Sequence, residues 1–263
     1  MPTVRSEDAD IVYESLGQGP PVVLLHPFPV HRDFWKPAAQ SLTSYRIILP
    51  DLRGHGDSAI GDGPAIMSKH ANDIARVLDD AGVGRAIMMG VSIGGYALFE
   101  FWRRFPGRAS ALVLSNTKAS ADSTEARAAR LRSAADVLEH GVEPFIESML
   151  PKLIGNTART MRPDLVEGAR RMALKMSPQD ISQVQQGMAD RTDSIPTLKT
   201  INVPTQIIAG EEDALATLAD AEAMKAHISG ASLATIQKAG HYAPWERPEE
   251  VGLLLRQFLD AHR

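Results

Sequence analysis

The stretch of this chain best suited to chemistry is Gly90-Val91-Ser92-Ile93-Gly94, a serine flanked two residues away on either side by glycine. It follows the apolar run Ala86 to Met89 and leads into Tyr96 to Trp102, a pattern that predicts a buried strand turning sharply into a helix. A serine at such a corner sits in strained backbone with its hydroxyl lifted off the sheet, and the glycines let strand and helix approach closely. The free N–H groups and positive dipole end of the new helix face whatever negative charge a reaction builds there. Ser92 is therefore the candidate nucleophile.

A serine hydroxyl is a weak nucleophile at neutral pH and needs a base. The chain offers eight histidines. His31, His70, His140, His227 and His262 lie in polar sequence and read as surface residues, whereas His241 follows Ala239-Gly240 after the strand-like Ser232 to Ile236. A glycine turn thus presents His241 at a strand end, as a base requires. The acid that would orient its imidazole is Asp213, which ends another strand-like run, Thr205 to Ala209. Glu212 is its rival, and Glu211 reads as a solvated loop charge.

Several further elements must exist to hold these three side chains. Val22 to Leu25, Arg46 to Pro50 and Ala111 to Ser115 are apolar runs of the kind found in central parallel strands, and Asp10 to Leu16 alternates like a half-exposed edge strand. Asp33 to Leu42 could supply a crossover helix, and Met67 to Ala81 has helical spacing. Strands alternating with helices predict a parallel α/β sheet that binds ligands beyond the carboxyl ends of its strands. From about Lys118 the texture becomes polar and helical, with helices predicted over Glu125 to His140, Val142 to Leu153, Asp164 to Met176 and Pro178 to Arg191. The expected organisation is a core of residues 1–118 and 197–263 with a helical cap subdomain at 119–196. Pro248 to Leu259 is an amphipathic closing helix.

A chain of 263 residues can bury a large single core. The absence of cysteine excludes disulfides, thiolate catalysis and thiolate metal sites. A net charge of -4 with interspersed signs leaves no basic footprint for nucleic acid, and no apolar run is long enough for a bilayer. The N-terminus lacks an apolar signal core. These features predict a cytoplasmic protein acting on a small molecule, with no membrane or nucleic-acid partner.

Taken together the motifs resemble the α/β-hydrolase family. His26-Pro27-Phe28 is similar to its oxyanion loop, Asp51-Leu52-Arg53-Gly54-His55-Gly56-Asp57-Ser58 to its Asp-x-Arg-Gly-x-Gly-x-Ser loop, and Gly90 to Gly95 to its nucleophile elbow. Asn202 to Asp213 resembles the strand that delivers the acid, and Ala239 to Pro248 the histidine loop. Proline stands at Pro27 where the family has glycine, which removes one backbone donor. The resemblance implies a mostly parallel eight-stranded sheet flanked by helices, with the cap inserted after the sixth strand. It also implies a Ser92-Asp213-His241 triad, an oxyanion hole from the backbone N–H groups of Phe28 and Ile93, and no metal or organic cofactor. His55 becomes a structural loop residue, Asp51 and Arg53 a loop-stabilising ion pair, and Trp102 a core residue. Candidate pocket residues are Pro27, Trp35, Phe145, Met149 and Tyr242.

The expected function is a carboxylic ester or lactone hydrolase working through an acyl-enzyme. Alternatives on the same site are a 3-oxoadipate enol-lactonase-like lactone hydrolase and a cofactor-free haloperoxidase or perhydrolase. A ligand-binding receptor on the hydrolase fold is the non-enzyme alternative, disfavoured because such receptors commonly lose a triad member. Serine at the elbow disfavours an aspartate-nucleophile dehalogenase or epoxide hydrolase.

Overall fold

The computed structural model describes residues 1–262. Eight strands form one sheet: β1 (Thr3–Ser6), β2 (Ala9–Leu16), β3 (Pro21–Leu25), β4 (Arg46–Pro50), β5 (Ala86–Val91), β6 (Ala109–Ser115), β7 (Thr205–Gly210) and β8 (Ser232–Ile236). Their order is β1-β2-β4-β3-β5-β6-β7-β8. The first two strands run antiparallel, and every pairing from β4 to β8 is parallel. The strands at the centre have the apolar sequences that double-sided burial demands: all six residues of β5 and of β7 are buried. By contrast β1 alternates exposed and buried residues.

The helices are α1 (Lys36–Ala39), α2 (Met67–Asp80), α3 (Ile93–Arg104), α4 (Thr124–His140), α5 (Val142–Leu153), α6 (Asn156–Met161), α7 (Pro163–Ala173), α8 (Pro178–Ala189), α9 (Ile195–Leu198), α10 (Leu218–His227), α11 (Ala243–Glu246) and α12 (Pro248–Ala261). None of them is long and apolar enough to cross a membrane. Six of them, α4 to α9, lie between β6 and β7, where α4 packs along α8. Side-chain caps start several helices: Ser123 accepts from the Ala126 N–H before α4, and Ser177–Asp180 and Thr217–Asp220 form capping boxes at α8 and α10.

Three sequence expectations need correction. The segment Thr3–Ser6, given no strand above, pairs with β2 to make the edge hairpin, because it offers buried residues on one side only. The crossover after β3 is a single 3₁₀ turn, Arg32–Trp35, followed by the four residues of α1. The helix expected from Asp164 to Met176 is α7, which starts at Pro163, where the missing N–H costs nothing, and stops at Ala173; a further short helix, α6, given none above, precedes it.

Candidate active site

The elbow is built from its glycines. Ser92 follows β5 at φ 54°, ψ -115°, a conformation that costs a side-chain-bearing residue energy and is held only by its surroundings. A Cβ on Gly94 would lie 2.6 Å from the Leu25 carbonyl oxygen, and one on Gly90 would collide with the Gly94 backbone. The Ser92 backbone is then tied to the end of the next strand: its N–H donates to the Ser115 carbonyl at 3.2 Å, and the Thr117 hydroxyl donates to its carbonyl at 2.9 Å.

Asp213 and His241 leave the ends of β7 and β8 and meet. Asp213 Oδ2 accepts from His241 Nδ1 at 2.8 Å, and both side chains are buried. The same oxygen accepts from Asn116 Nδ2 at 3.0 Å, while Oδ1 accepts from the N–H groups of Leu215 at 2.8 Å and Ala216 at 3.0 Å. Burial raises the Asp213 pKa, but the attraction and hydrogen bond of His241, with the Ala216 and Asn116 donors, outweigh it and hold the carboxyl below its ordinary value. An ionised Asp213 leaves the proton on His241 Nδ1 and the lone pair on Nε2. Ser92 and His241 line one cavity of about 310 Å³, whose wall also includes Phe28, Met149, Lys118 and Arg130. No hydrogen bond joins Ser92 Oγ to His241 Nε2 here; contacts of this kind often tighten only around substrate.

The sequence model of a family described as alpha/beta hydrolase fold matches residues 20–248. The chain belongs to that family. A thermophilic esterase of Thermogutta terrifontis superposes with a TM-score of 0.96 at 34% identity, covering 99% of this chain and 98% of the other. Among curated proteins, 3-oxoadipate enol-lactonase 2 of Acinetobacter baylyi is 26% identical over 94% of this chain and 92% of its own. The enol-lactonase of Burkholderia xenovorans LB400, at 23% identity and a TM-score of 0.92 over 98% and 100% of the two chains, shares the fold. Relatives of this kind support hydrolase activity for the chain.

In this hydrolase the loops around Ser92 are braced by groups to which the sequence reading gave no role of their own. His26 is fully buried; its Nδ1 hydrogen-bonds the Pro27 carbonyl at 2.9 Å and its Nε2 accepts from the Leu52 N–H at 2.9 Å, so it joins the oxyanion loop to the Asp51–Ser58 loop as a neutral ring. Burial drives its pKa well below the ordinary histidine value. Among the described residues, the N–H groups of Phe28 and Ile93 have no acceptor. Glu246, 5% exposed, accepts from the N–H groups of Gly155, Gly240 and Tyr242, clamping the histidine loop to the chain after α5.

Several expected roles are corrected. Asp51 and Arg53 do not pair with each other: Asp51 binds Arg32 and the Asp57 N–H, and Arg53 forks onto Asp73 at 2.9 and 2.8 Å. His31 and His70 are buried, not on the surface. Glu212 serves Thr157 instead of His241. Of the pocket candidates only Met149 lines the cavity. Trp35 is 1% exposed against Phe34, and Tyr242, with no exposure, donates its hydroxyl to the Phe28 carbonyl at 3.0 Å. Phe145 packs edge-on against Phe28, and the Pro27 carbonyl is hydrogen-bonded to His26. Phe28 lines the wall as well as standing in the oxyanion loop, whereas Lys118, Arg130, Gln185 and Leu215 were missed as wall residues, because a single sequence does not say which side chains of a loop or insertion turn toward a cavity.

Proposed function

We propose that the protein hydrolyses carboxylic esters or lactones through an acyl-enzyme, with Ser92 as nucleophile, His241 as proton carrier and Asp213 as its orienting acid. The carrying observation is the 2.8 Å Asp213–His241 hydrogen bond, set on a cavity that the strained Ser92 also lines. As Ser92 Oγ attacks the carbonyl carbon, its proton passes to His241 Nε2, and Asp213 stabilises the imidazolium that results. The carbonyl oxygen becomes an oxyanion, received by the uncommitted N–H groups of Phe28 and Ile93; each such donor is worth about 3 kcal/mol of barrier. His241 returns the proton to the leaving alkoxide. It then deprotonates water, which attacks the acyl carbon, and passes that proton to Ser92 Oγ as the acyl bond breaks and the acid leaves. Residues 119–196 act as a cap that supplies much of the pocket wall. The esterase and enol-lactonase relatives support both ester and lactone substrates.

The test is hydrolysis of a short 4-nitrophenyl ester, with covalent labelling by a fluorophosphonate. Ser92→Ala should lose roughly 10³-fold or more in kcat and all labelling. Equal rates in the two proteins would end the proposal.

A further inference from the structure

The cavity beside Ser92 holds more positive charge than the protein neutralises. Lys118 is half-buried on its wall and, among the described residues, has neither a hydrogen-bond nor an ion-pair partner. Arg130 of α4 is fixed by Asp122 Oδ2 at 2.6 Å and Gln185 Oε1 at 3.0 Å, which leaves its Nη2 uncommitted. Asp122, with its side chain 2% exposed, is shared with Arg191 at 2.7 Å, whose guanidinium lies 4.4 Å from the centre of the Tyr96 ring. Two guanidinium groups therefore divide one carboxylate, and Lys118 adds a third cation. Lys152, exposed, adds another at the same wall. All of this occurs in a chain of net charge -4.

Position relates this charge to the chemistry. Thr117, whose hydroxyl holds the Ser92 carbonyl, immediately precedes Lys118, so the extension of β6 brings Lys118 to the wall that Ser92 also lines. Arg130 approaches from the insertion. A cation removed from water without a counter-charge loses solvation that only a ligand restores, and charge of one sign in a low-dielectric cleft concentrates the opposite ion. Arg130 is already locked, so little side-chain entropy remains to be lost on binding.

We propose that Lys118 and Arg130 form an anion subsite, and that the substrates are esters or lactones bearing a free carboxylate on the part distal to the reacting carbonyl. The inference rests on the hydrolase reading for the reaction, but the subsite can be measured without turnover. The first comparison is mono-4-nitrophenyl glutarate against 4-nitrophenyl valerate, which differ by a carboxylate in place of the terminal methyl. Wild type should favour the glutarate ester about tenfold or more in kcat/KM, as expected for a charge-assisted contact. Lys118→Met should collapse that ratio mainly through KM, Lys118→Arg should keep most of it, and added salt should reduce it. A wild-type preference for valerate, or an equal loss on both esters in Lys118→Met, overturns the subsite. The second measurement is calorimetric titration of wild type, Ser92→Ala and Lys118→Met with glutarate. Binding to the first two and not the third supports the subsite even if neither ester is cleaved, which would defeat only the hydrolase reading. Ser92-dependent cleavage of valerate with no glutarate binding defeats the subsite and leaves that reading intact.

Discussion

Asp213 is held by four donors, and only one of them is the histidine it would orient. Asn116 is the donor with a side chain to change. It follows β6 at φ 46°, a region asparagine tolerates better than most residues, and its amide also donates to the Gly240 carbonyl at 3.1 Å, one residue before His241. Asn116→Gly keeps that backbone geometry and removes the amide. The expected result is a loss of about tenfold to a hundredfold in kcat, the scale of one hydrogen bond to a charged group, with a smaller change in KM. A variant that melts earlier but keeps wild-type kcat would show Asn116 to be merely structural. Ser92, Asp213 and His241 were legible in the sequence because each ends a strand beside glycine or turn residues. Asn116 was not, since Ser115-Asn116-Thr117 looks like any polar strand end until β7 and β8 bring Asp213 and Gly240 to it.

At the scale of elements, the parallel strands supply positions and the loops supply the bracing. Glu246 of α11 shows this best, because one carboxylate satisfies three N–H groups from two separate loops. Oε2 takes Gly155 and Gly240, and Oε1 takes Tyr242. Glu246→Gln would replace one acceptor oxygen by an NH₂ group facing an N–H donor. About 1–3 kcal/mol of stability should be lost, the cost of a buried unsatisfied polar group. Because His241 lies between Gly240 and Tyr242, kcat should fall as well. Thermal melting and steady-state kinetics on the same preparation check both. Helix starts were readable from serine, threonine and proline, whereas the shortness of α1 and the existence of α6 were not, since runs of four to six residues leave no clear periodicity.

Across the whole molecule, His26, His55 and His70 are buried away from water, and burial is the leading cause of their lowered pKa values. His55 falls to about 4 and His70 to about 3. The unfolded chain, with histidines near 6.5, binds these protons at a pH where the folded protein does not. Stability therefore falls as pH drops below about 6.5, by up to about 1.4 kcal/mol per pH unit for each such histidine, until its folded pKa is reached. Urea unfolding at pH 7, 6 and 5 should show a falling midpoint. His70→Leu should make that decline shallower by about one proton, and the comparison separates this ring from buried carboxylates that titrate lower. An unchanged slope would mean that His70 is protonated in the folded state.

What the sequence settled by itself was local: which runs are strands, where the elbow turns, and that serine, aspartate and histidine follow strands in that order. These features are written in periodicity and in glycine placement, which act within a few residues. The tertiary structure decided what depends on residues far apart in the chain. Arg32 takes Asp51 while Asp73 takes Arg53, Glu246 clamps two loops, and Asp122 lies between Arg130 and Arg191. A side chain's partner is chosen by which backbone segments the sheet and insertion bring together, and no local pattern records that choice.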